Sequence, residues 1–135
     1  MRVRCVSALP TQEQIEKLGP KYYAAQGFFL KPGQEFVVLG LMLAFDTPIW
    51  GTGAWAYLSD SDTGQLFRAP LLLFEVIDSH GSCHWELHDD GDGTVQLAPE
   101  PLNRQYFADD LSNDDPVAIA DWARLKELMF AEADK

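Results

Sequence analysis

Residues 35–45, EFVVLGLMLAF, constrain the fold more than any other part of the chain. Successive side chains of a strand point to opposite faces, so a half-buried strand alternates apolar and polar residues. Here both alternating sets are apolar, and the segment reads as a central strand covered on both faces. A helix is conceivable on composition, but Phe36, Val37, Val38 and Phe45 favour strand and Gly40 weakens a helix.

Further strand segments follow. The stretch 46–53, DTPIWGTG, connects to AWAYLSD at 54–60, and SDSDTGQ at 59–65 is a turn. Residues 66–78, LFRAPLLLFEVID, are apolar, with Pro70 expected to break the segment or place it at an edge or bulge. SCHWELH (82–88) and TVQLAPE (94–100) read as a hairpin joined by DDGDG.

Helices are expected at the ends. TQEQIEKLG (11–19) has Thr11 as a cap, Gln14 three residues on, and Gly19-Pro20 as a stop. KYYAAQGFFL (21–30) is ambiguous between strand and loop, and KPGQ (31–34) is a turn. At 113–135, Asp114 or Asp115 can cap a helix with Pro116 at its first position. Its apolar stripe is Ile119, Trp122, Leu125, Leu128 and Met129. These elements predict one α+β domain over 1–135. Its small curved antiparallel sheet has five or six strands, with an SH3-like half-barrel as an alternative form, flanked by a short N-terminal and an amphipathic C-terminal helix.

Composition enters through charge. The net charge is −11, and residues 32–103 carry one basic side chain, Arg68, against eleven acids. Such a field repels phosphate backbones and anionic membranes, which argues against nucleic-acid and membrane binding, and it steers a basic protein partner. The contact groups expected for such a partner sit in turns: Asp60 and Asp62, then Asp89, Asp90 and Asp92, then Asp109, Asp110, Asp114 and Asp115 around the last helix. Lacking an export signal or a span-length apolar run, the chain reads as cytoplasmic, with Cys5 and Cys83 as free thiols.

The stretch 78–93, DSHGSCHWELHDDGDG, is the densest in polar chemistry, holding all three histidines and Cys83. On a strand, His84, Glu86 and His88 would share one face, a donor set that suits zinc. Alternate residues are about 7 Å apart, however, so three cannot converge on one ion without strain. His84 and His88 also have the i, i+4 spacing of a zinc-binding helix, but the flanking turns leave no room for one. A calcium loop through DDGDG would need acids where His88 and Pro99 stand. Cys83 is too close in sequence to His80 and His84 to make a nucleophile–base pair, and alternation puts it inward with Trp85 and Leu87. No catalytic motif or cofactor motif emerges. Metal or small-molecule binding through His84, Glu86 and His88 remains the alternative to protein binding. Trp50 and Trp55 could line a cleft or fill the core.

A further pattern spans residues 33–88: Gly33 to Gly40 as a turn and Val-rich strand, Trp55 to Asp60 as an aromatic strand with an acidic turn, the Pro70 to Asp78 segment, and Ser82 to Trp85. It resembles a broad group of small, acidic, mostly uncharacterised bacterial proteins, several of which look like immunity proteins of toxin–immunity systems. The resemblance implies a non-enzymatic domain that neutralises a basic toxin by binding it. It implies scaffold roles for Ser82 and Trp85 and none for the histidines.

Overall fold

A computed structural model describes residues 1–7, 11–13 and 30–135. Most of the helix expected at 11–19, and all of 21–30 except Leu30, lie outside the described residues. The fold is α+β and its strands are antiparallel. One sheet has five strands in the order β5-β4-β3-β8-β7, and the second has three in the order β2-β1-β6. These are β1 (Arg2–Cys5), β2 (Glu35–Val37), β3 (Gly40–Thr47), β4 (Gly51–Ser59), β5 (Leu66–Pro70), β6 (Phe74–Asp78), β7 (Glu86–Asp89) and β8 (Thr94–Ala98). Three helices follow: α1 (Glu100–Asn103), α2 (Phe107–Ser112) and α3 (Pro116–Ala133). Neither sheet closes into a barrel.

The larger sheet is the middle of three layers, which explains its doubly apolar strands. On β4, Trp55 and Tyr57 join the core beneath the helices with Leu39, Met42, Leu102, Phe107, Trp122, Leu125 and Met129. Ala56 and Leu58 point the other way, into a core with Val3, Phe36 and Phe74 of the smaller sheet and with Val38 and Leu73 beside it. Removing side chains of this size from water on both faces is the main favourable contribution to the fold.

The segment 35–45 is not one strand. It breaks at Val38-Leu39 and passes from the edge of the small sheet into the centre of the large one. Both residues are fully buried, one in each core, so the apolar pattern runs unbroken through the crossing. The segment 66–78 crosses back. Pro70 ends the edge strand β5, a short 3-10 turn spans Leu71–Leu73, and β6 joins the small sheet. Lacking an N–H, proline suits an edge position where no ladder bond is needed.

Two expectations about burial are corrected. Residues 82–85 form a turn instead of the start of a strand, with Trp85 N–H donating to the Ser82 carbonyl at 3.3 Å. The Trp85 indole N–H donates to the Leu39 carbonyl at 2.9 Å, which draws the chain into the core side-on and frees Cys83 to the surface. Leu87, expected inward, is 71% exposed, because β7 is an edge strand contributing to neither core.

Helix α3 starts as its sequence predicts, with Asp115 accepting a hydrogen bond from Ala118 N–H and Pro116 in the first turn. Its buried stripe is narrower than expected: Ala118, Trp122, Leu125 and Met129. Ile119 and Leu128 are half exposed. At 3.6 residues per turn they lie about 90° to either side of that stripe, and so flank it.

Candidate partner-binding cleft

The helix-side face of the large sheet is not wholly covered. Between the strands, the β7–β8 turn and the start of the helical segment lies a cleft of about 670 Å³. Trp50, Tyr57, Arg68 and Gln96 come from the sheet side, Asp89 from the end of β7, and Asp90 and Asp92 from the turn. Asp109 comes from α2. Four of the nine acids expected at a partner surface thus converge on one opening. Asp60 and Asp62 sit in the separate β4–β5 turn. Asp110 is in α2, and Asp114 and Asp115 lie at the entry to α3.

The acidic turn is built by its own side chains. Gly91 N–H donates to Asp89 Oδ1 at 2.8 Å, and Thr94 N–H to Asp92 Oδ1 at 3.1 Å. The Thr94 hydroxyl lies 2.6 Å from Asp92 Oδ1 and 2.9 Å from Asp90 Oδ2. Gly91 and Gly93 both take positive φ, which the tight connection requires. From the turn a polar chain enters the cleft: Gln96 Nε2 donates to Asp90 Oδ2 at 2.9 Å, and Tyr57 Oη to Gln96 Oε1 at 2.6 Å. Burial, partly offset by Arg68, raises the Tyr57 pKa, so the phenol stays a neutral donor.

Arg68, the one basic side chain of 32–103, stacks its guanidinium over Trp50 and Tyr57 at 5.1 and 5.0 Å from the ring centroids. It therefore sits in the cleft against aromatic faces, an arrangement favourable to cations. Trp50 meets Trp55 edge-on at 5.2 Å, so Trp50 lines the cleft while Trp55 fills the core beneath. Among the described residues no lysine or arginine forms an ion pair with Asp89, Asp90, Asp92 or Asp109. The other wall is held by Arg104, whose guanidinium grips Glu100 at 2.7 and 2.8 Å and Asp121 at 2.7 Å. These bonds tie α1 to α3.

Hydrogen bonds from the Thr94 hydroxyl and N–H hold the Asp92 pKa below its ordinary value. In the β4–β5 turn, backbone N–H groups of Thr63 and Asp62 do the same for Asp60. A carboxylate whose folded pKa is depressed stabilises the fold at pH above its unfolded value, about 4. That stabilisation is lost as pH falls through the lower, folded value. The melting temperature is therefore expected to drop as pH is lowered below about 4. Asp92→Asn and Asp60→Asn should each flatten that acid limb, and an unchanged limb in both variants would show these turns to be uncoupled from stability.

The His84, Glu86, His88 row does not form. His84 lies in the 82–85 turn, with Nε2 3.9 Å from Glu132 of α3. His88 stays on β7 and turns its Nε2 to Asp90 Oδ1 at 3.2 Å. His80 is exposed and paired with Asp78 at 2.7 Å. Both cysteines are free; Cys5 is buried and Cys83, expected inward, is exposed. No helix among the described residues is long and apolar enough to cross a membrane. Comparison with family models, curated proteins and solved structures finds no match for this chain.

Proposed function

We propose that this chain is a protein-binding domain that receives a basic segment of a partner at the cleft between the β7–β8 turn and α2. One observation carries the reading. Asp89, Asp90, Asp92 and Asp109 converge on an opening with aromatic walls, with no lysine or arginine paired to them among the described residues. A partner arginine or lysine there would gain charge-assisted hydrogen bonds to the carboxylates at the rim, while Arg68 already covers the aromatic faces within. The long-range field adds encounter rate more than affinity. Because the pattern over residues 33–88 resembles a group of small acidic bacterial proteins of which several look like immunity proteins, the partner proposed is a toxin domain, neutralised by steric and electrostatic blocking.

The test takes the purified product of the adjacent gene as the candidate partner, with affinity measured as a function of salt. Asp89→Lys and Asp109→Lys should each weaken binding about tenfold or more at low salt. Asp62→Lys, on the separate turn, should change it little. Affinity indifferent both to salt and to the two cleft reversals would overturn the proposal. Asp89→Asn serves as the control that keeps the bond to Gly91 N–H.

A further inference from the structure

The sharpest unassigned chemistry lies away from the cleft, where the 82–85 turn meets the last turns of α3. Cys83, His84 and Glu132 each offer one ligand atom there, and the three atoms lie within 4.8 Å of one another. They are the only such trio among the described residues. Glu132 Oε2 is 2.8 Å from Cys83 Sγ and 3.9 Å from His84 Nε2. We propose that Cys83, His84 and Glu132 form a zinc site that clips the 82–85 turn to the C-terminal helix.

The donor set is the first argument. Thiolate sulfur, imidazole nitrogen and carboxylate oxygen together suit a borderline-soft divalent ion, whereas magnesium and calcium take oxygen alone. Distance is the second. Bond lengths of about 2.0–2.3 Å in tetrahedral geometry put ligand atoms about 3.3–3.6 Å apart. The Cys83–Glu132 pair must open and the His84–Glu132 pair close by a fraction of an ångström, which exposed side chains on a turn can do.

Preorganisation is the third argument. The turn is pinned by the Trp85 indole on the Leu39 carbonyl, and by the Ser82 hydroxyl accepting His84 N–H at 3.0 Å. Cys83 N–H donates to Glu132 Oε2 at 3.0 Å, which already aims the carboxylate at the turn. Glu132 itself stands on an 18-residue helix. Its position near the C-terminal end of α3 is one where the helix dipole favours a cation.

Without metal, the Cys83 thiol donates to Glu132. That bond raises the thiol pKa and lowers that of the carboxylate. On binding, zinc takes the place of the thiol proton. An S–Zn bond forms, the S–H bond breaks, the proton passes to water and no electrons are transferred. Three protein ligands leave a fourth position for water or an external donor. The site is independent of the partner cleft, so either proposal can fail without the other.

Chelator-treated, tag-free protein should be titrated with Zn²⁺, and with Co²⁺ as a spectroscopic probe. The expected result is about one equivalent bound with a dissociation constant well below 100 µM. The Co²⁺ form should show a near-ultraviolet thiolate charge-transfer band and tetrahedral visible bands. Cys83→Ser, His84→Asn and Glu132→Gln should each weaken Zn²⁺ binding at least about tenfold, and Cys83→Ser should abolish the thiolate band. His80→Ala and His88→Ala should leave binding unchanged. All five residues are at least partly exposed, and circular dichroism checks that each variant folds. The absence of binding at about 100 µM Zn²⁺, binding that survives Cys83→Ser, or binding that instead needs His80 or His88 would overturn the site.

Discussion

Trp122→Ala is expected to destabilise the protein by about 3–5 kcal/mol, the range for removing a large aromatic side chain from a core. Trp122 is 7% exposed and shares the core beneath the helices with Trp55 and Tyr57. Its indole N–H also donates to the Gly64 carbonyl at 2.9 Å, holding α3 to the β4–β5 turn. Lys126 donates to the same carbonyl at 3.0 Å and lies 5.0 Å from the Trp122 ring centroid. Trp122→Phe keeps most of the apolar volume, and Lys126 still satisfies Gly64. That variant should therefore cost much less, of the order of one hydrogen bond at about 1 kcal/mol plus a small packing loss. Urea unfolding of both variants gives the comparison. A loss below about 1 kcal/mol for Trp122→Ala would mean that α3 does not anchor the sheet.

The second large effect is expected at Gly40, where β3 passes β8. A Cβ built on Gly40 would stand 2.7 Å from Ala98 Cβ and 3.2 Å from the Leu97 carbonyl oxygen. Ala98 is fully buried and cannot turn aside. Gly40→Ala should cost about 1–3 kcal/mol by overpacking, and Gly40→Val more. Ala98→Gly opens the space. The double variant Gly40→Ala/Ala98→Gly should then be more stable than the sum of the two single losses predicts. Strict additivity in thermal or denaturant unfolding would show that the clash is relieved elsewhere.

The large features of the fold were legible because they rest on local pattern. Asp115 and Pro116 announce the start of α3, Pro70 the end of an edge strand, and the glycines of DDGDG a tight hairpin. The acidic turn could be named as solvent-exposed from residue types alone. What escaped the sequence depends on where each side of a segment lands. Val38 and Leu39 look like the middle of one strand because both are buried, yet they belong to opposite cores. Leu87 has the alternation of an inward residue but sits on an edge strand outside both cores. Cys83 meets Glu132 across 49 residues, and no spacing rule on the 78–93 stretch could supply that partner. The convergence of Asp109 with Asp89, Asp90 and Asp92 likewise needs the helices folded back over the sheet.

The position of β1 also bears on the order in which the molecule assembles. The hairpins β3–β4, β4–β5 and β7–β8 join near neighbours, so closing them orders little intervening chain. By contrast, β1 is the middle strand of the small sheet, and its outer partners are residues 35–37 and 74–78. Bringing residues 2–5 to either one closes a far longer loop, whose entropy must be lost before any ladder bond forms. Loop closure therefore favours the three hairpins over the pairing of β1, and the β3–β8 pairing, which joins Ala44 to Thr94, is long-range as well. Until β1 arrives, β2 and β6 each lack the strand between them, and Val3 and Cys5 are missing from the core they share. Those open edges and that incomplete core are where misassembly of a chain with β1 undocked is expected to begin.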